Sequence, residues 1–357
     1  MICRNMTSFS LQQKIGQLFL LGFAGDALTP EHPVATDIAE GNLGGVILFD
    51  RLLAQGKDTN NIVSPDQIAR LTEDLQLMAG GGLLVAVDQE GGKVSRFKKE
   101  RGFPVTAGAA QLGGAPDLRL TVESARQTAR MLKQAGINFN LAPVVDLNVY
   151  RENPIIGRYD RSFSAEASIV AAHAAAWIAE HRREGIQSCI KHFPGHGSSR
   201  TDSHLGFADI TTTWQEDELE PYRLLLKKGQ AEAVMVGHLF NKKFDKAYPA
   251  TLSAMTLQSL LRGSLNFRGM IVSDDMQMKA ITSRYGLEEA CCRALAAGVD
   301  LLIVGNNLDH DPHIFGKLKS AVLTAIDRGK LSEKRVDEAW SIIRNFKKSL
   351  VRNNATR

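Results

Sequence analysis

Three histidines stand close together in the segment CIKHFPGHGSSRTDSHLG: His192, His196 and His204. Imidazole groups at this density serve either metal binding or proton transfer. The spacing H-x3-H-x7-H supplies nitrogen ligands that suit zinc. Histidines at the first spacing share a face only in a helix, however, and Pro194 disrupts helical geometry there. A zinc-dependent hydrolase built on these three histidines is therefore kept as an alternative hypothesis.

The second chemistry, proton transfer, would use Asp202 and His204. In an extended segment, side chains two positions apart emerge on the same side. A carboxylate that accepts the Nδ1–H of an imidazole raises the basicity of the ring, and Nε2 can then give and take a proton near neutral pH. The same residues also suit a capped turn, because Asp and Ser favour loops. The residues alone leave both interpretations open.

Carboxylates in two other motifs could act on a sugar. Asp274 ends the apolar run GMIVSDD, and an aspartate in such a place can serve as the nucleophile of glycoside hydrolysis. If the strand persists, Asp274 and Asp275 point to opposite sides, so we expect only one to face the site and the other to cap a helix. In VDQEGGKVSRF, the carboxylates of Asp88 and Glu90, with Arg96 nearby, could bind sugar hydroxyls, and the same stretch also suits a surface turn.

The elements that must position these residues are short apolar runs separated by amphipathic helical patterns. The predicted strands are 17–23, 44–49, 83–88, 137–147, 187–193, 232–238, 269–275 and 299–307. Continuous apolar runs alternating with helices favour a parallel sheet covered on both faces, and eight of them predict an α/β fold, a single (β/α)8 TIM-type barrel. An open doubly wound sheet is the competing fold, but no GxGxxG motif follows an early strand.

Polar residues end most of these runs. They are Asp88, Asp146, His192, His238, Asp274 and Asn306. Because the carboxyl ends of the strands of a parallel barrel open on one face, we expect these side chains to meet there and form the site.

Composition narrows the class of protein. The chain has 357 residues, 44% of them hydrophobic, and a formal net charge of +4, too small to indicate a nucleic-acid partner. No apolar run has the length of a membrane span. The four cysteines form neither a CxxC pair nor a disulfide framework, which favours a reducing compartment. We therefore expect a soluble, cytoplasmic enzyme without a membrane partner.

We find no linker or internal repeat, and we expect residues 1–357 to form a single catalytic domain. The segment from about 331 to 350 is a predicted terminal helix, with Ser332 as its N-cap. The polar segment 51–67 is predicted to be a loop that extends the rim of the site.

The motifs together resemble a known family. KHFPGHG followed by DSH, with VDQEGG upstream and VSDDMQMKAI, PATLS and AGVDLLIVGNN downstream, resembles glycoside hydrolase family 3 and, within it, the bacterial β-N-acetylglucosaminidases. The resemblance runs from about residue 12 to about residue 345. It implies a (β/α)8-type barrel and retaining hydrolysis through a covalent glycosyl-enzyme.

The resemblance also implies roles for single residues. Asp274 would be the nucleophile, and His204 with Asp202 the acid/base pair. The residues expected to contact the sugar are Asp88, Arg96, Arg161, Lys191 and His192. Arg158 is a rival to Arg161, because the segment NPIIGRYDRSF is slightly longer than is usual in the family.

The resulting hypothesis is an exo-acting β-N-acetylglucosaminidase that needs no metal or organic cofactor. Its substrates would be small carbohydrates with a non-reducing GlcNAc, such as muropeptides of cell-wall recycling or chito-oligosaccharides, and it would be a monomer or weak dimer. A phosphorylase is the rival within the same class, since a neutral histidine repels phosphate less than a carboxylate would. A non-catalytic sugar-binding barrel is a third option.

Overall fold

Among the residues that the computed structural model describes, 9–203 and 206–355, eight parallel strands close into a barrel. Each strand pairs with its sequence neighbours, and the last pairs with the first. The strands are β1 (Phe19–Gly22), β2 (Gly45–Ile47), β3 (Leu84–Val87), β4 (Phe139–Asn140), β5 (Gln187–Phe193), β6 (Ala233–Val236), β7 (Met270–Asp275) and β8 (Leu301–Val304). Each predicted apolar run contains one of them, so the predicted (β/α)8 barrel is confirmed.

The strands are apolar because the barrel is covered on both faces. Every residue of the eight strands is buried except Asp274 and Asp275, which are half-buried at the end of β7. A parallel barrel fills its interior with side chains and covers its exterior with helices. The two carboxylates at the end of β7 therefore mark the face at which the barrel opens.

Helices follow the strands around the outside of the barrel. They are α1 (Leu11–Gly16), α2 (Pro33–Ala39), α3 (Pro65–Ala79), α4 (Ala109–Gly113), α5 (Arg119–Gln134), α6 (Ala167–Arg183), α7 (Glu220–Lys227), α8 (Lys279–Thr282), α9 (Leu287–Ala297), α10 (Ile314–Asp327) and α11 (Glu333–Ala355). A helix of wider turns, Met255–Ser264, follows β6. None of the helices in the described part combines the length and apolar character needed to cross a bilayer.

Short 3₁₀ turns and a small sheet complete the chain. The turns are Leu53–Gln55, Lys99–Arg101, Glu216–Leu219 and Ala250–Leu252, and the sheet pairs Ala208–Asp209 with Leu239–Phe240. The first of these turns lies inside the predicted loop 51–67.

The terminal helix begins where the sequence predicts. Ser332 Oγ accepts a hydrogen bond from the backbone N–H of Arg335 at 3.2 Å, which caps α11. Lys347 on this helix donates to Gln17 Oε1 at 2.8 Å and to the carbonyl of Gly44 at 2.6 Å. These two residues precede β1 and β2, so α11 contacts the amino-terminal end of the barrel, away from the open face.

The fourth strand is shorter than the run 137–147 that was predicted for it. Its regular pairing with β5 ends at Asn140, and Pro143, which has no N–H to donate, interrupts the ladder. The backbone returns to β5 at Val144, which bridges to Lys191. This irregular segment brings Asp146 against the loop that follows β5.

Candidate active site

A cavity of about 190 Å³ opens at the carboxyl ends of the barrel strands. Its wall includes Asp88 at the end of β3, Asp274 at the end of β7, and Arg96 from the loop that follows β3. Apolar side chains, among them Leu141 and Met235, form the floor between them. Three of the predicted site residues therefore share one cavity, as the strand-end pattern predicts.

The carboxylate of Asp274 is oriented by its own neighbour. Its Oδ1 accepts the backbone N–H of Asp275 at 2.9 Å. The side chain of Asp275 in turn accepts the N–H groups of Gly305 and Gln277 through Oδ1, at 3.0 Å each. Asp275 thus holds the end of β7 against the end of β8.

Two expectations about Asp275 were wrong. Asp274 and Asp275 both line the cavity, because the register of β7 against β8 shifts at this point and the regular alternation of a strand does not continue. Asp275 also caps no helix, since α8 begins only after Met278 and the Asp275 side chain accepts the N–H of Gln277 in the preceding turn.

Lys191, Glu90 and Arg161 form a series of buried ion pairs that begins at Asp88. The ammonium of Lys191 lies 2.6 Å from Asp88 Oδ1 and 2.8 Å from Glu90 Oε1. Arg161 contacts both oxygens of Glu90, Nη2 to Oε1 at 2.7 Å and Nε to Oε2 at 2.8 Å. Lys191 is only 2% exposed, so it holds Asp88 from behind rather than lining the cavity itself.

The ion pairs keep Glu90, Lys191 and Arg161 charged. Burial alone would raise the pKa of Glu90, but the charges of Arg161 and Lys191 overcome it and hold that pKa below its ordinary value. Burial likewise opposes the charge on Arg161 and on Lys191, yet the adjacent carboxylates raise both of their pKa values. The result is a fully ionised, rigid support beneath Asp88.

Asp146 fixes the orientation of His192. Its Oδ2 accepts the Nδ1–H of His192 at 2.7 Å, and its Oδ1 accepts the backbone N–H of His196 at 2.7 Å. Arg161 Nη2, which can only donate, lies 3.3 Å from the other ring nitrogen of His192. Asp146 and Arg161 therefore fix the orientation of the His192 ring through its two nitrogens. Burial alone would raise the pKa of Asp146, but His192 and the N–H of His196 hold it below its ordinary value.

The zinc hypothesis finds no support in this geometry. Both ring nitrogens of His192 have partners, and Nε2 of His196 lies 3.1 Å from Ser203 Oγ. Within residues 9–203 and 206–355, no group of three or more His, Cys, Asp or Glu side chains is arranged to hold a metal ion. His204, the third proposed ligand, lies outside the described residues.

The loop of the predicted acid/base pair is described up to Ser203. Asp202 is half-buried, and its carbonyl accepts the N–H of Gly206 at 3.2 Å. The carbonyl of Ser203 accepts the N–H of Ala280 in α8 at 3.2 Å, which ties the loop to the segment that follows β7. Because His204 lies outside the described residues, its role stays a prediction.

Arg161, and not Arg158, belongs to the cluster. Arg161 is nearly buried against Glu90, whereas Arg158 is 62% exposed and contacts the equally exposed Glu152 at 3.4 Å. The sequence indicated Glu90 as a possible sugar ligand, but not that Glu90 binds Arg161 rather than Arg158. Its partner Arg161 lies far along the chain, so no local signal identifies the pair.

Asp50 is a site residue that sequence reasoning missed. It is 2% exposed and lines the cavity. Its carboxylate lies close to three cations: Lys98 Nζ at 2.7 Å, Arg96 Nη1 at 3.8 Å and Arg51 Nε at 3.8 Å. The signal was present, because Asp50 directly follows the apolar run 44–49. The predicted loop 51–67 does extend the rim, since Arg51 and Leu53 line the same cavity.

Comparison with known proteins agrees with this fold. Residues 10–345 match the family described as glycosyl hydrolase family 3 N terminal domain. A β-hexosaminidase of Tolumonas auensis is 36% identical over 268 residues, covering 74% of this chain and 76% of that protein. One from Nitrosomonas eutropha is 32% identical over 325 residues, covering 88% of each.

A solved structure is similar over most of the barrel. It is a family 3 β-N-acetylglucosaminidase from a Paenibacillus species, with a TM-score of 0.87 and 33% identity over 96% of this chain. The present chain spans 63% of that protein, less than two thirds of its length. The resemblance seen in the sequence motifs is confirmed: the chain belongs to glycosyl hydrolase family 3 and is a glycoside hydrolase.

Proposed function

We propose that this chain is a retaining exo-β-N-acetylglucosaminidase, with residues 1–357 acting as one catalytic domain. The observation that carries the proposal is the Asp274 carboxylate, oriented by the N–H of Asp275 at 2.9 Å in a cavity that it shares with Asp88 and Arg96. The similar proteins named β-hexosaminidase and β-N-acetylglucosaminidase support the choice of sugar.

The proposed reaction has two steps. Asp274 attacks the anomeric carbon while His204 gives its proton to the leaving glycosidic oxygen, which releases the aglycone and leaves GlcNAc bound to Asp274 as an ester. His204 then takes a proton from water, and the hydroxide attacks the anomeric carbon and frees Asp274. Asp202 orients His204. Two displacements at one carbon return the β configuration.

The sugar would be held by the polar wall of the cavity. Asp88 and Arg96 line it and can bind sugar hydroxyls directly. Lys191 and Arg161 contribute first by fixing Asp88 and Glu90, and His192 lies beside them. The proposed natural substrates are muropeptides or chito-oligosaccharides with GlcNAc at the non-reducing end.

The test is hydrolysis of an aryl β-GlcNAc by the wild type and by Asp274→Asn. We expect the variant to lose at least about a thousandfold in kcat, since it removes a group on which the first step depends. Asp327→Asn, on an exposed side chain at the end of α10, is the matched control and should leave the rate unchanged. Equal rates for wild type and Asp274→Asn would refute the nucleophile assignment.

The same assay separates hydrolysis from phosphorolysis. With water as the acceptor, the product is GlcNAc of β configuration whether or not phosphate is present. If phosphate accelerates turnover and GlcNAc 1-phosphate accumulates, the reaction is phosphorolysis, and the proposed hydrolase function is wrong.

A further inference from the structure

One buried histidine near the open face has no part in the reaction described above. His238 follows β6 and is 1% exposed, and it is not among the residues that line the cavity of Asp274. Buried polar side chains in native proteins are hydrogen-bonded, and each such bond fixes both of its partners. The partners of His238 therefore indicate what this side chain holds in place.

The Nε2 atom of His238 binds the backbone of the residue that follows the proposed nucleophile. It lies 2.9 Å from the carbonyl oxygen of Asp275. A carbonyl oxygen can only accept, so Nε2 carries a proton and donates it. The N–H of the same Asp275 donates to Asp274 Oδ1 at 2.9 Å. His238 thus reaches from the end of β6 to the residue of β7 that orients Asp274.

Thr251, in the motif PATLS, holds the other side of the ring. Its Oγ lies 2.8 Å from His238 Nδ1 and 3.0 Å from the carbonyl of Gly237, and the residue is fully buried. A hydroxyl can donate as well as accept, so it is a partner for Nδ1 with or without a proton on that nitrogen. The imidazole is held at both nitrogens, and this sets the direction in which the Nε2–H points.

The peptide group after Asp275 is fixed at both of its polar atoms. Its carbonyl accepts from His238, and its N–H, which belongs to Met276, donates to the carbonyl of Ile303 at 3.0 Å. Because a peptide group is planar, only the two backbone torsions of Asp275 separate this group from the N–H that orients Asp274. A shift of the carbonyl would therefore reach the nucleophile.

We propose that Thr251 and His238 are positioning residues for the nucleophile. Thr251 sets the orientation of His238, and His238 holds the Asp275 carbonyl so that the N–H of Asp275 meets Asp274. The inference rests on the proposed function, because it takes Asp274 as the nucleophile. Both residues act through Asp275 and not by contact with the sugar, which gives the motif PATLS a task although it lies outside the cavity lining.

The test measures kcat/KM for an aryl β-GlcNAc together with the inhibition constant of free GlcNAc. Thr251→Val keeps the shape of the side chain but removes the hydroxyl. We expect kcat/KM to fall about tenfold, because a small misplacement of a reacting group has effects of this size. The inhibition constant should stay within about twofold, since the orientation of the nucleophile matters in the transition state and not for holding the sugar. Thr251→Ser keeps the hydroxyl and should retain most of the wild-type rate.

Variants of His238 test the second step of this arrangement. His238→Gln keeps an N–H donor for the Asp275 carbonyl, whereas His238→Leu has none, so we expect the glutamine variant to lose less activity. When His238→Leu is already present, Thr251→Val should have no further effect on kcat/KM, because Thr251 acts through the ring that has been removed.

A second buried pair of histidine and threonine provides the matched control. Thr121 Oγ in α5 lies 2.7 Å from His173 Nδ1 in α6, and these helices lie outside the barrel. Thr121→Val removes the same kind of hydrogen bond away from the cavity. It should leave both kcat/KM and the inhibition constant unchanged.

The outcomes separate the inference from the function on which it rests. If the wild type does not hydrolyse the aryl β-GlcNAc, the proposed function fails and the inference fails with it. If the wild type is active but Thr251→Val keeps its kcat/KM, or weakens GlcNAc binding by the same factor, the inference is overturned while the proposed function stands. Additive losses in the double variant would also overturn it. If Thr251→Val does not fold, equal rates in His238→Gln and His238→Leu would overturn the inference, and a higher rate in His238→Gln would support it.

Discussion

Arg161 and Glu90 form a bidentate ion pair beneath the cavity, with Nη2 2.7 Å from Oε1 and Nε 2.8 Å from Oε2. Glu90 also binds Lys191 at 2.8 Å, so one carboxylate compensates two buried cations. If the Glu90 carboxylate were removed, Arg161 and Lys191 would be left buried without a compensating negative charge, and this would destabilise the fold.

Glu90→Gln should therefore destabilise the protein strongly. We expect the free energy of unfolding to fall by about 3 kcal/mol, in the range for breaking a buried ion pair. Urea denaturation measures this, with Glu152→Gln as the control, since Glu152 is 62% exposed in its contact with Arg158. The control should change by less than about 0.5 kcal/mol. Similar losses in the two variants would contradict a supporting role for Glu90.

Lys191→Met tests whether the buried ammonium orients Asp88. The substitution keeps the length and apolar character of the side chain but removes the contact of 2.6 Å with Asp88 Oδ1. We expect kcat/KM for an aryl β-GlcNAc to fall about a hundredfold, because misplacing a substrate-positioning group has effects of that size. Lys93→Met is the control. It removes a cation that is 54% exposed, and it should leave kcat/KM almost unchanged. Unchanged kinetics in a folded Lys191→Met protein would show that Asp88 needs no such support.

The sequence was sufficient to predict the barrel because every strand is buried on both faces, so each appears as a continuous apolar run. It also indicated Asp88 and Asp274, since a polar residue at the end of such a run has to lie at the open face. Asp50 obeys the same rule and was overlooked. The break after Asn140 could have been anticipated from Pro143, which cannot donate to the ladder.

Contacts between distant parts of the chain could not be predicted in this way. Spacing alone does not distinguish Arg158 from Arg161; the choice is made by Glu90, which follows β3 and lies far from both in the sequence. The shared orientation of Asp274 and Asp275 depends on a register shift between β7 and β8. Both features arise from tertiary packing, which local patterns do not report.

Acid should destabilise the protein through its buried histidines. His181 donates Nδ1–H to the Trp177 carbonyl at 3.0 Å, and its Nε2 accepts from Asn140 at 3.1 Å, so a second proton would face the Asn140 amide hydrogens. Burial lowers the pKa of His181 to about 4 from 6.5, and that of His196 likewise. As the pH falls, these histidines take up protons in the unfolded chain at a higher pH than in the folded one. Their contribution to the free energy of unfolding is therefore fully present above pH 6.5 and is lost as the pH falls towards 4.

The expected slope in that window is about 1.4 kcal/mol per pH unit for each histidine. Urea denaturation at several pH values measures it, and His181→Gln should remove the contribution of one proton. The exposed His313 serves as the control, since His313→Gln should leave the slope unchanged. A wild-type stability that is flat across this window would refute the prediction.

Gly305→Ala should disturb the active site without disturbing the fold. A Cβ at this position would lie 2.3 Å from Asp275 Oδ2, and Asp275 is the residue whose N–H orients Asp274. The carboxylate must move, so we expect kcat to fall about tenfold or more while the circular dichroism spectrum is retained.

Gly316→Ala is the matched control for that change, because nothing lies within 4 Å of an added Cβ there and the position is in α10. It should keep full activity and unfold at the same or slightly higher urea concentration, as alanine favours a helix over glycine. Full activity in Gly305→Ala would mean that the position of the Asp275 carboxylate does not matter for Asp274.

The hydrogen bond from Leu53 N–H to Asn307 Oδ1 joins positions that are 254 residues apart in the sequence. It connects the loop after β2 with the loop after β8, the last strand of the barrel, which pairs with β1 and closes the sheet. Contacts of such long range form late, because the loop between them must be ordered first. For a chain emerging from the ribosome, the wall of the cavity to which Leu53 and Asn307 belong is thus among the last parts to be assembled.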